Sequence, residues 1–217
     1  MKTAILVDGG FYRRRAQACI GEKSAKERAY ELDNYCRRHL KETHAWHELY
    51  RIFYYDCPPM TKKVFHPQLN RTVDFSKTNL YTWTNAFFNE LKQRRKFALR
   101  LGKLADAQAF YTLRPHVVKQ LFSGNIEFSD ITENDFFINV EQKGVDMKIG
   151  LDIASLAYKK QVNQIVLISG DSDFVSAAKL ARREGIDFVL DPLGTKIKDD
   201  LFEHIDGLIT RDNKYKS

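Results

Sequence analysis

Short apolar runs alternate along the chain with longer stretches whose apolar residues recur at helical spacing. TAILV (3–7) is a continuous apolar run of the kind that strands buried on both faces require. Residues 11–20 begin a helix. Residues 24–43 read as a long charged helix, with Ala29, Leu32, Tyr35, Cys36 and Leu40 on one face. ELYRIFYYD (48–56), rich in aromatic and β-branched residues, reads as a second strand stopped by Pro58 and Pro59. Residues 60–78 show no period and read as loop. Residues 79–100 return to helix, with Leu80, Trp83, Phe87, Phe88 and Leu91 marking its apolar face. QAFYTL (108–113) is a candidate third strand. Residues 116–142 carry little pattern, apart from a short strand candidate at FFINVEQ (136–142).

From residue 146 the alternation is clear. MKIGLDIASLAYKK is helical despite Gly150, QIVLIS (164–169) is a strand, and FVSAAKLARREG (174–185) is a helix closed by Gly185. IDFVLD (186–191) is a strand stopped by Pro192, residues 196–204 form a short helix, and GLI (207–209) is a last strand candidate. Strands alternating with helices in this way predict an α/β fold: an open, mostly parallel central sheet with helices on both faces. No internal repeat, low-complexity tract or linker interrupts the chain, so residues 1–217 read as a single domain.

Composition adds a charge asymmetry. The net charge is +7, and it is unevenly placed: residues 1–145 hold 24 basic and 16 acidic residues, whereas 146–217 hold 11 and 12. A basic front half favours a polyanionic partner through counterion release. No apolar run approaches the ~18 residues of a membrane span, so no membrane association is expected. The first apolar stretch reaches Asp8 too soon for a secretory signal. The cysteines are three, Cys19, Cys36 and Cys57, with no CxxC pair, the usage of a reduced cytoplasmic protein.

Candidate chemistry sits where strands end. In open parallel sheets, ligands bind beyond the carboxyl ends of the strands, near the point where strand order reverses. Asp8, Asp56, Asp171, Asp173 and Asp191 all follow predicted strands, and Asp146 opens the helix before the 164–169 strand. Each has a plain structural explanation as a helix cap or turn residue. If the strands at 3–7 and 164–169 are neighbours, however, Asp8, Asp171 and Asp173 converge. Clustered carboxylates repel one another and raise each other's pKa, and a hard cation relieves that. Oxygen donors without nearby His or Cys suit Mg²⁺ or Mn²⁺. A nucleotide cofactor has little support: Gly9-Gly10 runs into Phe11-Tyr12 with no third glycine, and no GxxxxGK[ST] is present. His44 and His47 lack a third ligand of known place, which makes a surface or packing role the stronger reading.

VDGGF (7–11), YYDCPP (54–59), QKGVDMKIGLD (142–152) and VLISGDSDFVSAAKLARREG (166–185) together resemble the LabA-like branch of the NYN domain proteins, in the PIN-like nuclease superfamily. The likeness covers the first dozen residues and 142–193 well, and 60–140 only in outline. It implies a three-layer PIN-like α/β fold and a metal-dependent endoribonuclease. It also implies that Asp8, Asp146, Asp171 and Asp173 form the catalytic, Mg²⁺- or Mn²⁺-binding set. Asp152 matches a further acidic position. It lies six residues, about 240° of helix, from Asp146, which makes it a supporting or helix-packing residue. Ser169 and Ser172 stand beside the aspartates as hydrogen-bonding supports. Phe11 departs from the pattern, standing where many relatives have Asn.

In that setting the basic residues Arg13, Arg14, Arg15 and Lys143 are candidates to meet RNA phosphates. Lys92, Arg94, Arg95 and Lys96 form a second basic cluster, with solubility the plainer role. Tyr54, Tyr55, Phe65 and Tyr81 are either core residues or stacking platforms for bases. The expected partner is RNA, single-stranded or structured, and a homo-oligomer stays open. Two other functions compete with the ribonuclease. One is a non-catalytic RNA-binding or regulatory module of the same fold. The other is an aspartyl phosphatase, which usually wants two aspartates after the first strand where only Asp8 stands.

Overall fold

The computed structural model describes residues 1–41 and 47–215. The chain starts with strand β1 (Lys2–Asp8), helices α1 (Gly9–Ile20) and α2 (Ala25–Arg38), and strand β2 (Glu48–Asp56). Strands β3 (Lys63–His66) and β4 (Arg71–Asp74), helix α3 (Asn79–Lys92) and strands β5 (Phe97–Leu101), β6 (Lys103–Leu104) and β7 (Phe110–Leu113) follow. Next come helix α4 (Pro115–Phe122), strands β8 (Phe136–Asn139) and β9 (Gln142–Lys143), helix α5 (Val145–Tyr158) and strand β10 (Gln164–Ile168). Helix α6 (Val175–Arg183), strand β11 (Asp187–Asp191), helix α7 (Asp199–Phe202) and strand β12 (Gly207–Leu208) end the series.

Six strands form the central sheet in the order β12-β11-β10-β1-β2-β5, and every neighbouring pair is parallel. The expected α/β architecture is therefore present. Strand order runs outward from β1 in both directions, so the reversal falls between β1 and β10. The alternation of side chains explains why these two strands are apolar throughout. Ala4 and Leu6 with Ile165 and Leu167 face one core, lined by Ile149 and Ile153 of α5 and Ala178 and Ala181 of α6. Ile5 and Val7 with Val166 and Ile168 face the other, built on Tyr12 and Ala16 of α1, Leu32 and Tyr35 of α2 and Phe87 of α3. A strand covered on both faces has no polar side to show in its sequence.

Four expectations need correction. The 24–43 helix ends at Arg38; His39 follows as its C-cap, with Nε2 2.9 Å from Asp191 Oδ2. The stretch 60–78 is not loop: β3 and β4 pair as an antiparallel hairpin whose turn holds Asn70 at φ 47°. Its strands have four residues each, too short to show a period. The 79–100 helix stops at Lys92, and Lys96 at φ 67° reverses the chain into β5, the edge strand beside β2. The alternation of Phe97, Leu99 and Leu101 was hidden behind the basic run that precedes it. Finally, 108–113 does form a strand, but it pairs with β8 in a separate two-stranded ladder and not in the central sheet.

Among the described residues no helix is long and apolar enough to cross a membrane. Cys19, Cys36 and Cys57 are all unpaired.

Candidate active site

The carboxyl ends of β1 and β10 lie side by side, with Val7 opposite Ile168. The next residue on each strand is Asp8 and Ser169. Ser169 is fully buried, and its hydroxyl donates to Asp8 Oδ2 at 3.3 Å while accepting the Asp171 N–H at 3.2 Å. One serine thus ties the end of the first strand to the loop that carries the aspartate pair. Asp8 also caps α1, its Oδ1 accepting the Phe11 N–H at 3.0 Å.

The Asp171/Asp173 pair divides its work. Asp171 Oδ1 accepts the Asp173 N–H at 3.0 Å and caps the short 3₁₀ turn Ser172–Phe174. Helix α6 then begins with no side-chain cap. Of the two, each with a plain reading as cap or turn residue, it is Asp171 that serves the turn. Both are exposed. Asp171 Oδ2 and both oxygens of Asp173 have no hydrogen-bond partner among the described residues. Asp146 is the second residue of α5, whose N-cap is Gly144 at φ 79°. It too is exposed and makes no side-chain hydrogen bond among the described residues.

The four aspartates feel one another. Asp146 has its pKa raised above 3.8 by partial burial, then by the charges of Asp171 and Asp173. Asp8 is also raised, chiefly by burial and further by Asp146, against the Phe11 hydrogen bond, the Arg14 charge and the Ser169 hydroxyl. Asp146 thus feels the charges of Asp171 and Asp173, and its own charge reaches Asp8. The donor chemistry fits a hard divalent cation: only carboxylate oxygens, mutually repelling and partly unclaimed by hydrogen bonds. As placed, no group of three or more His, Cys, Asp or Glu side chains among the described residues is close enough to hold an ion.

Asp152 lies outside this group. Its Oδ2 accepts from Tyr55 Oη at 2.8 Å and from Arg100 Nε at 3.0 Å, so it packs α5 against β2 and β5. Ser169 acts as the expected support, whereas Ser172 has no side-chain bond among the described residues. Phe11 lies over the loop: a Cβ on Gly170 would stand 2.6 Å from the Phe11 Cε2 atom. Gly170 is glycine because of that ring and not because of a left-handed turn, since its φ is not positive.

The arginine run is split three ways. Arg13 Nη2 binds the fully buried Asp56 at 3.0 Å, and Asp56 also accepts from Tyr54 Oη at 3.0 Å. Arg15 donates to the Leu193 carbonyl at 2.9 and 3.2 Å. Arg14 is exposed, forms no salt bridge among the described residues, and lowers the Asp8 pKa by its charge. Lys143 is exposed, with Glu141 3.9 Å away. In the second basic cluster, Arg94 reaches Asp33 at 3.3 Å, and Lys96 lies 3.7 Å from Glu48 and bonds the Leu49 carbonyl. Tyr54 and Tyr55 are fully buried and unavailable for stacking. Phe65 is exposed, and Tyr81 lines a small cavity beside α3. Of the His44/His47 pair, His44 lies outside the described residues, and His47 Nδ1 is within hydrogen-bond distance of Thr3 and Gln164.

Sequence reasoning missed one buried anchor. Asp191 is fully buried and gathers Tyr35 Oη, His39 Nε2, the Leu193 N–H and Thr210 Oγ1. It fastens α2 and the C-terminal segment to the end of β11. The signal that marks it is its place at a strand end before Pro192, which by itself indicates only a turn.

A six-stranded parallel sheet flanked by helices defines the class: an α/β protein consistent with a PIN-like fold. The NYN domain model matches residues 77–205, and the chain belongs to that family. No curated protein matches the chain. Among solved structures it is similar to a protein of unknown function from Vibrio parahaemolyticus RIMD 2210633, with a TM-score of 0.50 and 14% identity over 98% of this chain and 94% of that one. At that identity the likeness concerns the fold.

Proposed function

We propose that the protein is a metal-dependent endoribonuclease of the LabA-like branch of the NYN family, hydrolysing RNA phosphodiesters at Asp8, Asp146, Asp171 and Asp173. The observation that carries this is the placement of Asp8 and the Asp171 loop side by side at the β1/β10 switch, tied by Ser169, with the charges of Asp171 and Asp173 felt at Asp146. A purely structural role accounts for Asp8 and for one oxygen of Asp171. It leaves Asp146 and Asp173 repelling each other without a bonded partner.

Asp8, Asp146, Asp171 and Asp173 would hold Mg²⁺ or Mn²⁺, which when bound lowers the pKa of water and neutralises phosphoryl charge. The chain's own contribution is position. Ser169 fixes Asp8 relative to Asp171, and the 3₁₀ turn capped by Asp171 carries Asp173, whose carboxylate has no hydrogen-bond partner among the described residues. Asp173 is then the group best placed to orient the attacking water and accept its proton. Arg14 and Lys143 are the exposed cations left to meet phosphate oxygens. The apolar ring of Phe11 offers no hydrogen bond to water or phosphate. The three unpaired thiols fit a reducing, cytoplasmic setting.

The experiment is cleavage of an end-labelled single-stranded RNA with Mn²⁺ or Mg²⁺. Asp171→Asn and Asp173→Asn should each lower the rate at least 100-fold, and unchanged rates refute the assignment. The wide spacing of the carboxylates as placed, together with Phe11, favours a second reading: an RNA-binding module without catalysis. Calorimetry separates the two, because that module binds RNA without taking up metal.

A further inference from the structure

We infer that a pocket between α1 and α3 is a subsite for one unstacked nucleotide of a single-stranded substrate, next to the carboxylates. The pocket has a volume of about 670 Å³, within the ~300–1,000 Å³ of small-ligand sites and too small for a duplex. Its walls include Arg14, Lys23, Arg28, Leu80, Trp83 and Gln142. Gly10, one of its lining residues, joins it to Asp8. A Cβ on Gly10 would stand 3.5 Å from Arg14 Nη1, 3.5 Å from Asp8 Oδ1 and 3.8 Å from Gln142 Oε1. Cation, amide and carboxylate thus meet around one glycine at the pocket mouth.

The chemistry of the lining matches a nucleotide part by part. Trp83 is a fixed aromatic platform. One face stacks on Phe87, with ring centroids 5.1 Å apart and planes at 13°, and its Nε1 donates to the Lys23 carbonyl at 2.9 Å. A ring held on two sides loses little freedom when a base packs against what remains exposed. Leu80, 64% exposed on the pocket rim, adds an apolar surface that nothing in the described chain covers. The charge is positive where phosphate would lie. Arg14 has no salt bridge among the described residues, and Lys23 and Arg28 share the single carboxylate of Glu31 at 2.6 and 2.9 Å. Arg13 is neutralised by Asp56 and serves the wall, while Glu22 also lines the pocket and disfavours a second phosphate deep inside it. Gln142 Oε1 and its amide supply one acceptor and two donors for a base or ribose edge.

The identity of the occupant rests on the ribonuclease reading, whereas the binding test does not. The substrate strand would pass Arg14 with one nucleotide in the pocket and the neighbouring phosphodiester at Asp8. Recognition of this kind selects single strands, because a base must leave its stack to enter.

The test uses the full chain with Trp46, which lies outside the described residues, replaced by Phe, so that Trp83 is the one emitting tryptophan. Without added metal, a single-stranded hexaribonucleotide is titrated in while Trp83 emission is followed. Saturable quenching is expected, with Kd raised about tenfold by Leu80→Glu and by Arg14→Gln, the loss expected for one stacking or one phosphate contact. Leu80 is a surface position, so its substitution keeps the fold, and circular dichroism verifies that. The subsite is overturned by any of three results: no quenching, an unchanged Kd in folded Leu80→Glu, or equal binding of the same sequence as a duplex. Quenching with no cleavage under any metal overturns the nuclease reading and leaves the subsite standing.

Discussion

Replacing Gly170 with alanine drives a methyl group into the Phe11 ring. The backbone at Gly170 does not need glycine for its φ, so the cost is steric. A Cβ there would stand 2.6 Å from Phe11 Cε2, 3.0 Å from Cζ and 3.2 Å from Thr195 Oγ1. Carbon atoms at their optimal separation are ~3.5–4.0 Å apart, so the ring must retreat by about 1 Å. It is not free to do so, because Phe11 is partly buried against the core beneath α1 and its N–H is fixed on Asp8. Overpacking of this kind costs ~1–3 kcal/mol. For a chain of this size each kcal/mol lowers Tm by ~2–4 °C, so Gly170→Ala should lose ~2–12 °C in thermal unfolding followed by circular dichroism. The decisive measurement repeats the substitution in a Phe11→Ala background, where the methyl enters vacated space. There it should cost less than ~0.5 kcal/mol, a coupling of ~0.5–3 kcal/mol between the two positions. An equal cost in both backgrounds refutes the claim that the ring imposes the glycine.

Three further outcomes follow from the same geometry. Asp8 and Asp146 have pKa values raised above 3.8, so the folded chain holds their protons more tightly than the unfolded one. Their contribution to stability is full at low pH and is lost as pH rises from about 3.8 through the raised values. Asp146→Asn should flatten that part of the metal-free unfolding profile, and an unaltered profile denies the coupling. Asp191→Ala strands the partners of a fully buried carboxylate and should cost ~3–5 kcal/mol in urea unfolding. A loss below ~1 kcal/mol would show that Asp191 does not anchor α2. Gly102→Ala places a Cβ 2.6 Å from the Lys143 carbonyl, two residues before the helix that carries Asp146. RNA cleavage should fall more than global stability does, and equal losses of both would place the effect in the fold alone.

Legibility in the sequence followed length and environment. β2 was readable residue for residue, because five aromatic and β-branched residues among its nine positions, between acidic ends, leave little choice. β1 and β10 were readable as buried runs, which also placed them at the sheet centre. The hairpin at β3 and β4, and β5 behind its basic run, were not, since four or five residues at a sheet edge carry no decisive period. The arginine run looked uniform in sequence. Only packing could show that Arg13 meets Asp56, Arg15 meets a carbonyl, and Arg14 alone of the three makes neither a salt bridge nor a side-chain hydrogen bond among the described residues.

By itself the sequence determined the alternation of strand and helix and the parallel α/β class, and it singled out the four aspartates as candidates, because hydrophobic period and motif spacing are local properties. Which of them cap and which are unclaimed was decided only in three dimensions. The Asp171 carboxylate turned back to the Asp173 N–H, Ser169 bridged two strands distant in sequence, and Phe11 closed over Gly170. Hydrogen bonds and close contacts between residues some 160 positions apart depend on strand order and register, and neither is written in any single stretch of chain.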